Sequence, residues 1–263
     1  MKKSFDMNSP TDLSRLAYGD VRDVQFEVAV LPWGATEPHN LHLPYLTDSI
    51  LAHDVACDAA EMAFERFGTR AMVLPPMPLG AQNPGQRDLP FCIHYRHATQ
   101  QAVLKDIVTS LQHQGMRRLL IVNGHGGNSF KDIIRDLAAE FPDVIIMSSD
   151  WYKVVPPADY FDQPGDHADE LETSVMMHYH PELVDLSRAG DGRARPFALK
   201  SLREGVAWVP RHWTKVTADT GIGDPRLSTA DKGRRFATAV AEKYALLLHE
   251  LASVSTVDDL YSF

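Results

Sequence analysis

The sequence predicts an α/β protein with a mostly parallel central sheet and helices on both of its faces. Short apolar runs alternate along the chain with longer segments of helical periodicity, and Gly or Pro closes several of the runs. Strands that alternate with helices form right-handed βαβ units, which build a parallel sheet that is covered on both sides. The chain has 263 residues and no internal repeat, low-complexity segment or linker. We therefore expect a single domain over residues 1–263.

Four apolar runs are predicted to be the strands of this sheet. They are FEVAVLPWG (26–34), AMVLPPMPLG (71–80), the start of RRLLIVNGHGGNSFKDIIRDLAAEF (117–141), and VIIMSSD (144–150). The prolines in the second run predict that its strand ends early, because proline cannot donate a backbone hydrogen bond to a neighbouring strand.

Helices are predicted between and after these strands. The segment SILAHDVACDAAEMAFERFG (49–68) has apolar residues on one helical face and ends at Gly68, a helix stop signal. Further helices are predicted near 99–114, after the NGHGGN turn, over 168–180, and from about Thr229 to Leu251. Ser228 is the predicted N-cap of the last helix. A long irregular loop, AQNPGQRDLPFCIHYRHAT (81–99), follows the second strand.

Composition and charge exclude several classes of function. The formal net charge of −9 argues against a nucleic-acid partner, which would require clustered Lys and Arg. Cys57 and Cys92 are the only cysteines, so we expect neither a disulfide framework nor a thiolate zinc knuckle. No run has the length of a membrane span, and the start MKK is followed by polar residues. We therefore expect a cytoplasmic protein without a membrane partner.

The stretch GATEPHNLHLPYLTD (34–48) contains acidic and imidazole groups among apolar residues. Glu37 and His39 face the same side if the segment is extended, because side chains alternate with a period of two. Together with Asp48 they predict a metal site, and nitrogen and carboxylate ligands suit zinc or manganese at a catalytic centre. Asp48 alone could instead be a helix N-cap. His42 is expected to be a packed histidine, with a fourth ligand or a supporting group as alternatives.

The turn NGHGGN (123–128) follows an apolar strand and precedes a helix, where functional residues gather in parallel sheets. It matches neither a Walker A loop nor a GxGxxG motif, so no nucleotide site is predicted. HGGN also occurs in lipases, but the chain has no G-x-S-x-G motif. A histidine among three glycines is an unfavourable turn filler, so His125 is predicted to be a metal ligand.

The segment DHADELETS (166–174) supplies further acidic groups and His167. On a helix, Glu172 shares a face with apolar residues, where a carboxylate requires a partner such as a metal. Glu170 lies on another face and is expected to be solvated or to support a ligand. Asp166 is expected to be a helix cap.

Taken together, the sequence resembles the creatininase (creatinine amidohydrolase) family. EPHNLHLPYLTD, NGHGGN, HADELETS and GIGDPRLSTADKG match its motifs in order, over most of the chain. The resemblance implies a three-layer α/β/α fold and two divalent metals, zinc and/or manganese, with iron(II) as a further option. It also implies a homo-oligomer, often a hexamer, and the hydrolysis of small cyclic amides or formamides.

The resemblance also implies roles for individual residues. Glu37, Asp48 and His125 would hold one metal, while His39 and Asp48 would hold the other, with Asp48 as the bridge. His167 would be the catalytic acid and base. Creatininase has a further carboxylate ligand two residues after the histidine that corresponds to His125, where this chain has Gly127. Glu172 is the predicted replacement, either as a ligand or as a second catalytic group.

The implied reaction is metal-assisted hydrolysis, in which an activated water attacks a carbonyl and His167 protonates the leaving group. Asn40 and Asp169 stand where the family has glycines, and loop 81–99 lacks the usual PGT pattern. The substrate is therefore expected to differ from creatinine, and the polar residues predicted to bind it are Asn83, Arg87 and His94. Two alternatives are a hydrolase of a cyclic polyhydroxy ketone (a keto-inositol, by C–C cleavage) or a lactone, and a non-catalytic metal-dependent binding protein.

Overall fold

The computed structural model describes residues 11–262 of the chain. The start MKK and the polar residues behind it, on which the expectation about a signal sequence rests, lie outside the described residues. Within the described part, no helix has the length and apolar character needed to cross a bilayer.

A four-stranded, all-parallel sheet lies at the centre of the fold, which confirms the predicted class. In chain order, its strands are β1 (Val28–Trp33), β2 (Ala71–Val73), β3 (Arg118–Asn123) and β4 (Ile145–Asp150). Across the sheet the order is β2-β1-β3-β4, so β1 and β3 are neighbours in the middle. β2 ends before Pro75 and Pro76, as those prolines predict.

Five helices of ten or more residues occur within residues 11–262. They are α1 (Thr47–Phe67), α2 (His97–His113), α3 (Lys131–Glu140), α4 (Glu170–Tyr179) and α5 (Ala230–Ser253). Three helices of four residues lie at Tyr18–Val21, Lys200–Arg203 and Trp213–Val216. The long helices occur where they are predicted, with small differences at their ends. α1 begins at Thr47 rather than Ser49, which places Asp48 inside its first turn and not at the N-cap.

Alternating residues of the strands face two separate cores, as the period of two requires. On one side of β1, Val28 and Val30 pack with residues of α1, α4 and α5. On the other side, Ala29, Leu31 and Trp33 pack with residues of α2 and α3. Helices therefore cover both faces of the sheet, which gives the predicted three-layer α/β/α arrangement.

The N-cap of α5 is Thr229 and not Ser228, so that prediction is wrong by one residue. The Thr229 hydroxyl accepts the backbone N–H of Lys232 at 3.2 Å. The Ser228 hydroxyl instead donates to the backbone carbonyl of Glu170 at 3.2 Å. Both residues are suitable caps by type, and the contact with α4 directs Ser228 away from α5.

Two glycines allow the first turn of α1 to lie against the ends of the central strands. Gly34 follows β1 and Gly124 follows β3. A Cβ atom at Gly34 would lie 2.4 Å from the backbone nitrogen of Ser49, and one at Gly124 would lie 2.3 Å from the carbonyl oxygen of Asp48. Contacts this short exclude a side chain at either glycine. Asp48 is thereby held at the carboxyl ends of β1 and β3.

Candidate metal centre

Buried acidic and histidine side chains converge at the carboxyl ends of β1 and β3. Three overlapping groups have candidate ligand atoms within 4.8 Å of one another: Glu37, Asp48 and His125; His39, Asp48 and Glu172; and Glu37, His39 and His167. Each of these side chains belongs to a residue that is at most 9% exposed. The structure thus brings together all five predicted metal ligands and the predicted acid and base, His167.

The two oxygens of the Asp48 carboxylate face different histidines. Oδ1 lies 2.9 Å from Nε2 of His39, and Oδ2 lies 3.2 Å from Nδ1 of His125. Nδ1 of His125 also lies 2.8 Å from Oε1 of Glu37. Asp48 is therefore shared by two of the ligand groups and lies between them.

One ring nitrogen of each histidine in these groups lies at a backbone carbonyl oxygen. His39 Nδ1 is 3.0 Å from the carbonyl of Glu37, and His125 Nε2 is 2.9 Å from that of Ala81. His167 Nε2 is 2.9 Å from the carbonyl of Pro38. A carbonyl only accepts, so these nitrogens donate, and in a neutral imidazole the other nitrogen then has a lone pair. Carbonyl partners of this kind orient histidines that bind metals.

The second nitrogen of each ring points toward carboxylates. His39 Nε2 and His125 Nδ1 face Asp48 and Glu37 at the distances given above, and His167 Nδ1 lies 3.7 Å from Oε1 of Glu37. Lone pairs of a neutral ring and of a carboxylate repel each other. The arrangement is stable only with a positive charge between them, either a proton on the ring or a metal cation.

The donor set fits a divalent metal. Glu37 Oε1 and Asp48 Oδ2 are buried without a hydrogen-bond partner among the described residues. They are close to His125 Nδ1, but not at the angles of a hydrogen bond. Buried carboxylate oxygens without partners carry a large free-energy cost. Coordination by zinc or manganese would remove that cost, and both metals accept nitrogen and carboxylate ligands.

Protons and cations would compete for the same atoms. Burial lowers the pKa of His39, but the Asp48 carboxylate outweighs it and the pKa is raised to about 10. The pKa of His125 is likewise raised well above its usual value, against burial, by Glu37 and Asp48. The pKa of Asp48 is lowered despite burial, chiefly by His39. These pKa shifts show that the negative charge of the carboxylates makes the site favourable for cations.

The pKa of His167 is shifted in the opposite direction to that of the other two histidines, and the pKa of Glu172 is shifted in the opposite direction to that of Asp48. Burial, assisted by His39, lowers the pKa of His167. Burial raises the pKa of Glu172 to about 8, with the nearby Asp48 and Asp169 acting against His39. Glu172 Oε2 accepts the backbone N–H of Ala168 at 2.5 Å. Its carboxylate is therefore anchored at the start of α4 and faces the group that contains His39 and Asp48.

Polar groups that were not predicted as site residues hold the ligands in place. The Gln86 amide, from loop 81–99, donates to Oε2 of Glu37, and Gln86 is 1% exposed.

Within the NGHGGN turn, Asn123 donates to the carbonyl of His125 at 2.9 Å and accepts its N–H at 3.2 Å. Asn128 donates to Oδ1 of Asn123 at 3.1 Å and to the carbonyl of Gly34 at 3.2 Å. The NGHGGN turn is thereby fixed to the end of β1.

At the start of α4, the expectation for Asp166 is wrong, and one of the two alternatives for Glu170 is excluded. Glu170 is not solvated, because its side chain is fully buried and is paired with Lys232 of α5. Asp166 is not a helix cap, since its carboxylate is half exposed and forms an ion pair with Arg211 at 2.5 Å. The N-cap of α4 is Asp169, which accepts the backbone N–H of Glu172 at 3.1 Å.

His42 lies outside the three ligand groups and is packed, as expected. Its Nε2 is 2.8 Å from the hydroxyl of Thr173. Burial, with a contribution from His39, lowers the pKa of His42 to about 4. His42 is thus a neutral, buried histidine at neutral pH.

A cavity of about 480 Å³ opens beside the ligand groups. Its lining includes five residues of the ligand groups, together with two aromatic residues: Glu37, Asp48, His125, His167, Glu172, Tyr152 and Phe161. Tyr152 and Phe161 come from the segment after β4, which was not predicted to contribute to a site. The predicted substrate-binding residues Asn83, Arg87 and His94 are not among the residues that line it, and their role stays a prediction.

Comparisons with known proteins agree with this architecture. The profile of the creatininase family, described as creatinine amidohydrolase, matches residues 14–248. A mycofactocin precursor peptide peptidase of Mycobacterium ulcerans (strain Agy99) is 32% identical over 214 residues, covering 78% of each chain. A creatinine amidohydrolase of Pseudomonas putida is 29% identical over 198 residues, covering 68% of this chain and 72% of the relative.

Solved structures give the same result. A provisionally named creatinine amidohydrolase from Bacteroides fragilis NCTC 9343 is 59% identical, with a TM-score of 0.94 over 97% of this chain and 100% of the other. A mutant creatininase of the Zn-Zn type is 22% identical, with a TM-score of 0.74 over 94% and 100% of the two chains. A creatininase described with Mn is 23% identical, with a TM-score of 0.71 and the same coverage. The last two support the fold alone.

Proposed function

Because the chain belongs to the creatininase family, we propose that it is a binuclear metal-dependent hydrolase that cleaves the carbon–nitrogen bond of a small, cyclic amide or formamide. The observation that carries the proposal is the Asp48 carboxylate, which has one oxygen at His39 and the other at His125. A carboxylate placed in this way is suited to bridge two cations, an arrangement that recurs in two-metal hydrolases.

The ligands divide naturally into two sets that share Asp48. Glu37 and His125 complete one set, and His39 and Glu172 complete the other, as their grouping in space suggests. Each set then has three protein ligands, which is the number that catalytic zinc sites generally keep while leaving a position open. Gln86 and the backbone carbonyls at His39 and His125 orient the ligand atoms.

When bound, the cations would lower the pKa of a water and polarise the substrate carbonyl. The remaining chemistry falls to this chain's own groups. His167 is oriented by its Nε2–H, which donates to the carbonyl of Pro38, so that Nδ1 is the atom directed into the site. Nδ1 would accept the proton that the attacking water loses and return it to the leaving nitrogen. A general acid and base of this type contributes about 10²–10⁴-fold to the rate.

The cavity supports a compact substrate. Its volume of about 480 Å³ is near the lower part of the range for small-molecule sites. The side chains of Tyr152 and Phe161 provide aromatic surface in the same cavity as the ligand groups. A small ring with one reactive carbonyl is compatible with a cavity of this size and lining.

A second candidate is hydrolysis of an amide bond in a peptide. The mycofactocin precursor peptide peptidases are 31–32% identical over about four-fifths of their chains, and the same chemistry at the metals would serve a peptide carbonyl. The carbon–carbon cleavage of a keto-inositol remains a further alternative. A 3-dehydro-scyllo-inosose hydrolase of Thermotoga maritima is 23% identical over 249 residues.

The test is turnover by protein loaded with two equivalents of zinc or manganese. Cyclic amides, formamides, short peptides, lactones and keto-inositols are incubated separately, and products are identified by mass and NMR. We expect the addition of water across a C–N bond by the wild type and none by Asp48→Asn. If the protein cleaves keto-inositols and no other substrate, the bond that it hydrolyses is a C–C bond, and the proposal of C–N cleavage is wrong. Metal binding without turnover of any substrate would instead favour a binding protein.

A further inference from the structure

A second group of potential ligands lies farther along α1, away from its first turn. Asp12, His53 and Cys57 have ligand atoms within 4.8 Å of one another, outside the groups that contain Asp48. We propose that these three residues form a separate binding site for a zinc ion, which joins the segment before β1 to α1. The proposal is independent of the hydrolytic function, because none of the three residues belongs to the candidate metal centre.

The fold brings the three residues together from distant parts of the chain. His53 and Cys57 are four residues apart on α1, so both side chains lie on the same helical face. Asp12 reaches them through backbone pairing, because it forms a parallel bridge with Val73 at the end of β2, and Val73 N–H donates to the carbonyl of Thr11 at 2.7 Å. Asp12 and His53 have side-chain exposures of only 9% and 12%.

The distances suit a tetrahedral ion. His53 Nε2 lies 3.1 Å from Asp12 Oδ1 and 3.7 Å from Cys57 Sγ. Zinc–ligand bonds of about 2.0–2.3 Å place neighbouring tetrahedral ligands about 3.2–3.8 Å apart. One cation could therefore contact all three side chains, whose ligand atoms lie within 4.8 Å of one another. A fourth position would be left for water.

A second carboxylate lies near the other nitrogen of the ring. His53 Nδ1 lies 3.8 Å from Asp54 Oδ1, on the side away from Asp12. A carboxylate behind a histidine is a common companion of metal-binding imidazoles. Burial, together with Asp12 and Asp54, raises the pKa of the Cys57 thiol. The same charges favour a divalent cation, and zinc would displace the thiol proton to water on binding.

Two other functions for the group fit the geometry less well. A Cys–His–Asp nucleophile would use Asp54 at Nδ1 and Cys57 at Nε2, but Asp54 Oδ1 is 3.8 Å from Nδ1, too far for a hydrogen bond, and Asp12 Oδ1 is nearer to Nε2 than the thiol is. A simple ion pair would explain why Asp12 Oδ1 lies near His53 Nε2. It would not explain why the Cys57 thiol lies near the same nitrogen. Arg15 pairs with the other oxygen, Oδ2, at 3.0 Å, while Oδ1 accepts the backbone N–H of Ser14 at 3.0 Å and also faces the ring.

Cobalt(II) is the probe, since it replaces zinc and gives an intense near-ultraviolet thiolate charge-transfer band. The chain has two cysteines, and none of the candidate ligands at the Asp48 centre is a thiol. Full-length apoprotein is titrated with cobalt. We expect the intensity of the band to correspond to one cobalt ion per chain, in addition to the ions that bind at the Asp48 centre without producing this band. Cys57→Ser and His53→Gln should lose the band and that equivalent, while Cys92→Ser keeps both. Zinc should displace the cobalt and remove the band.

Two further measurements keep the outcome independent of folding defects. Circular dichroism should give the same helix content for Cys57→Ser and the wild type, and both should bind the remaining equivalents at the Asp48 centre. Zinc should raise the melting temperature of Asp48→Asn protein, in which binding at the Asp48 centre should be weakened or lost, and this rise should be smaller or absent in the double variant with Cys57→Ser. A wild-type protein without the band, or a band that persists in folded Cys57→Ser, would overturn the proposal.

Discussion

Asp48 Oδ1 lies 2.9 Å from Nε2 of His39, and the other nitrogen of that ring donates to the carbonyl of Glu37. The imidazole is thereby held with Nε2, the nitrogen proposed to bind a metal, toward Asp48. The other Asp48 oxygen has no hydrogen-bond partner among residues 11–262. This relationship makes Asp48 the first residue to change in a test of the two-metal site.

Asp48→Asn is expected to lose both metals or to hold them weakly, because an amide has one oxygen and no negative charge. Loss of a bridging ligand should reduce kcat/KM by at least about 10²-fold, which corresponds to about 3 kcal/mol of transition-state stabilisation. Metal content by mass spectrometry and turnover are measured on the same samples. Asp136→Asn, at an exposed position of α3, is the control and should match the wild type. Two tightly bound metals with unchanged activity in Asp48→Asn would contradict the bridging role.

His167→Ala is expected to keep both metals and to lose most turnover. Five other side chains supply the proposed ligands, whereas Nδ1 of His167 is the atom assigned to proton transfer. The rate should fall about 10²–10⁴-fold in kcat, and the fall should be smaller for substrates with better leaving groups. If the metal content falls in parallel with activity, His167 is a ligand and its assigned role is wrong.

Glu172→Gln is expected to empty the site that includes His39 and to leave the site of Glu37 and His125 occupied. Glu170→Gln is the matched control, two residues earlier on the same helix. Because Glu170 is buried against Lys232, its variant should keep both metals and lose stability, by about 1–3 kcal/mol. Metal content, a crystal structure and urea unfolding distinguish the two effects. Two fully occupied metals in Glu172→Gln would assign the second site to other ligands.

Gly124→Ala is expected to weaken metal binding without removing any ligand. The added Cβ would lie 2.3 Å from the Asp48 carbonyl, so the first turn of α1 must move. Overpacking of this kind costs about 1–3 kcal/mol of stability. Gly126→Ala is the control in the same turn, because its nearest neighbour would be the Tyr152 hydroxyl at 3.7 Å. Equal metal affinities in the two variants would mean that the position of α1 does not control the site.

The sequence predicted the order of strands and helices well, because apolar periodicity and turn residues are local signals. It also predicted the segments that supply the candidate ligands, since two of the motifs follow the predicted ends of β1 and β3 and the third lies at the start of a predicted helix. Contacts between distant segments were less predictable. The pairing of Glu170 with Lys232 joins residues 62 positions apart, and Gln86 reaches Glu37 across 49 positions. No local pattern distinguishes a glutamine with such a contact from a solvated one.

His42 gives a pH dependence of stability that comes mainly from its burial. The histidine in an unfolded chain titrates near its ordinary pKa of 6.5, whereas burial lowers the pKa in the folded protein to about 4. Between these values the unfolded chain binds the extra proton, so acid favours unfolding. The stabilisation is complete above pH 6.5 and is lost as the pH falls toward 4, by up to about 3 kcal/mol.

His42→Gln should remove this part of the acid sensitivity, because a glutamine amide can still contact the hydroxyl of Thr173 but does not titrate. Free energies of unfolding from urea titrations are compared for wild type and variant at pH 7 and pH 4.5. Other groups affect both proteins equally, so the difference between the two pH slopes isolates His42. A wild-type slope that persists in His42→Gln would show that His42 accepts a proton in the folded state at its ordinary pKa.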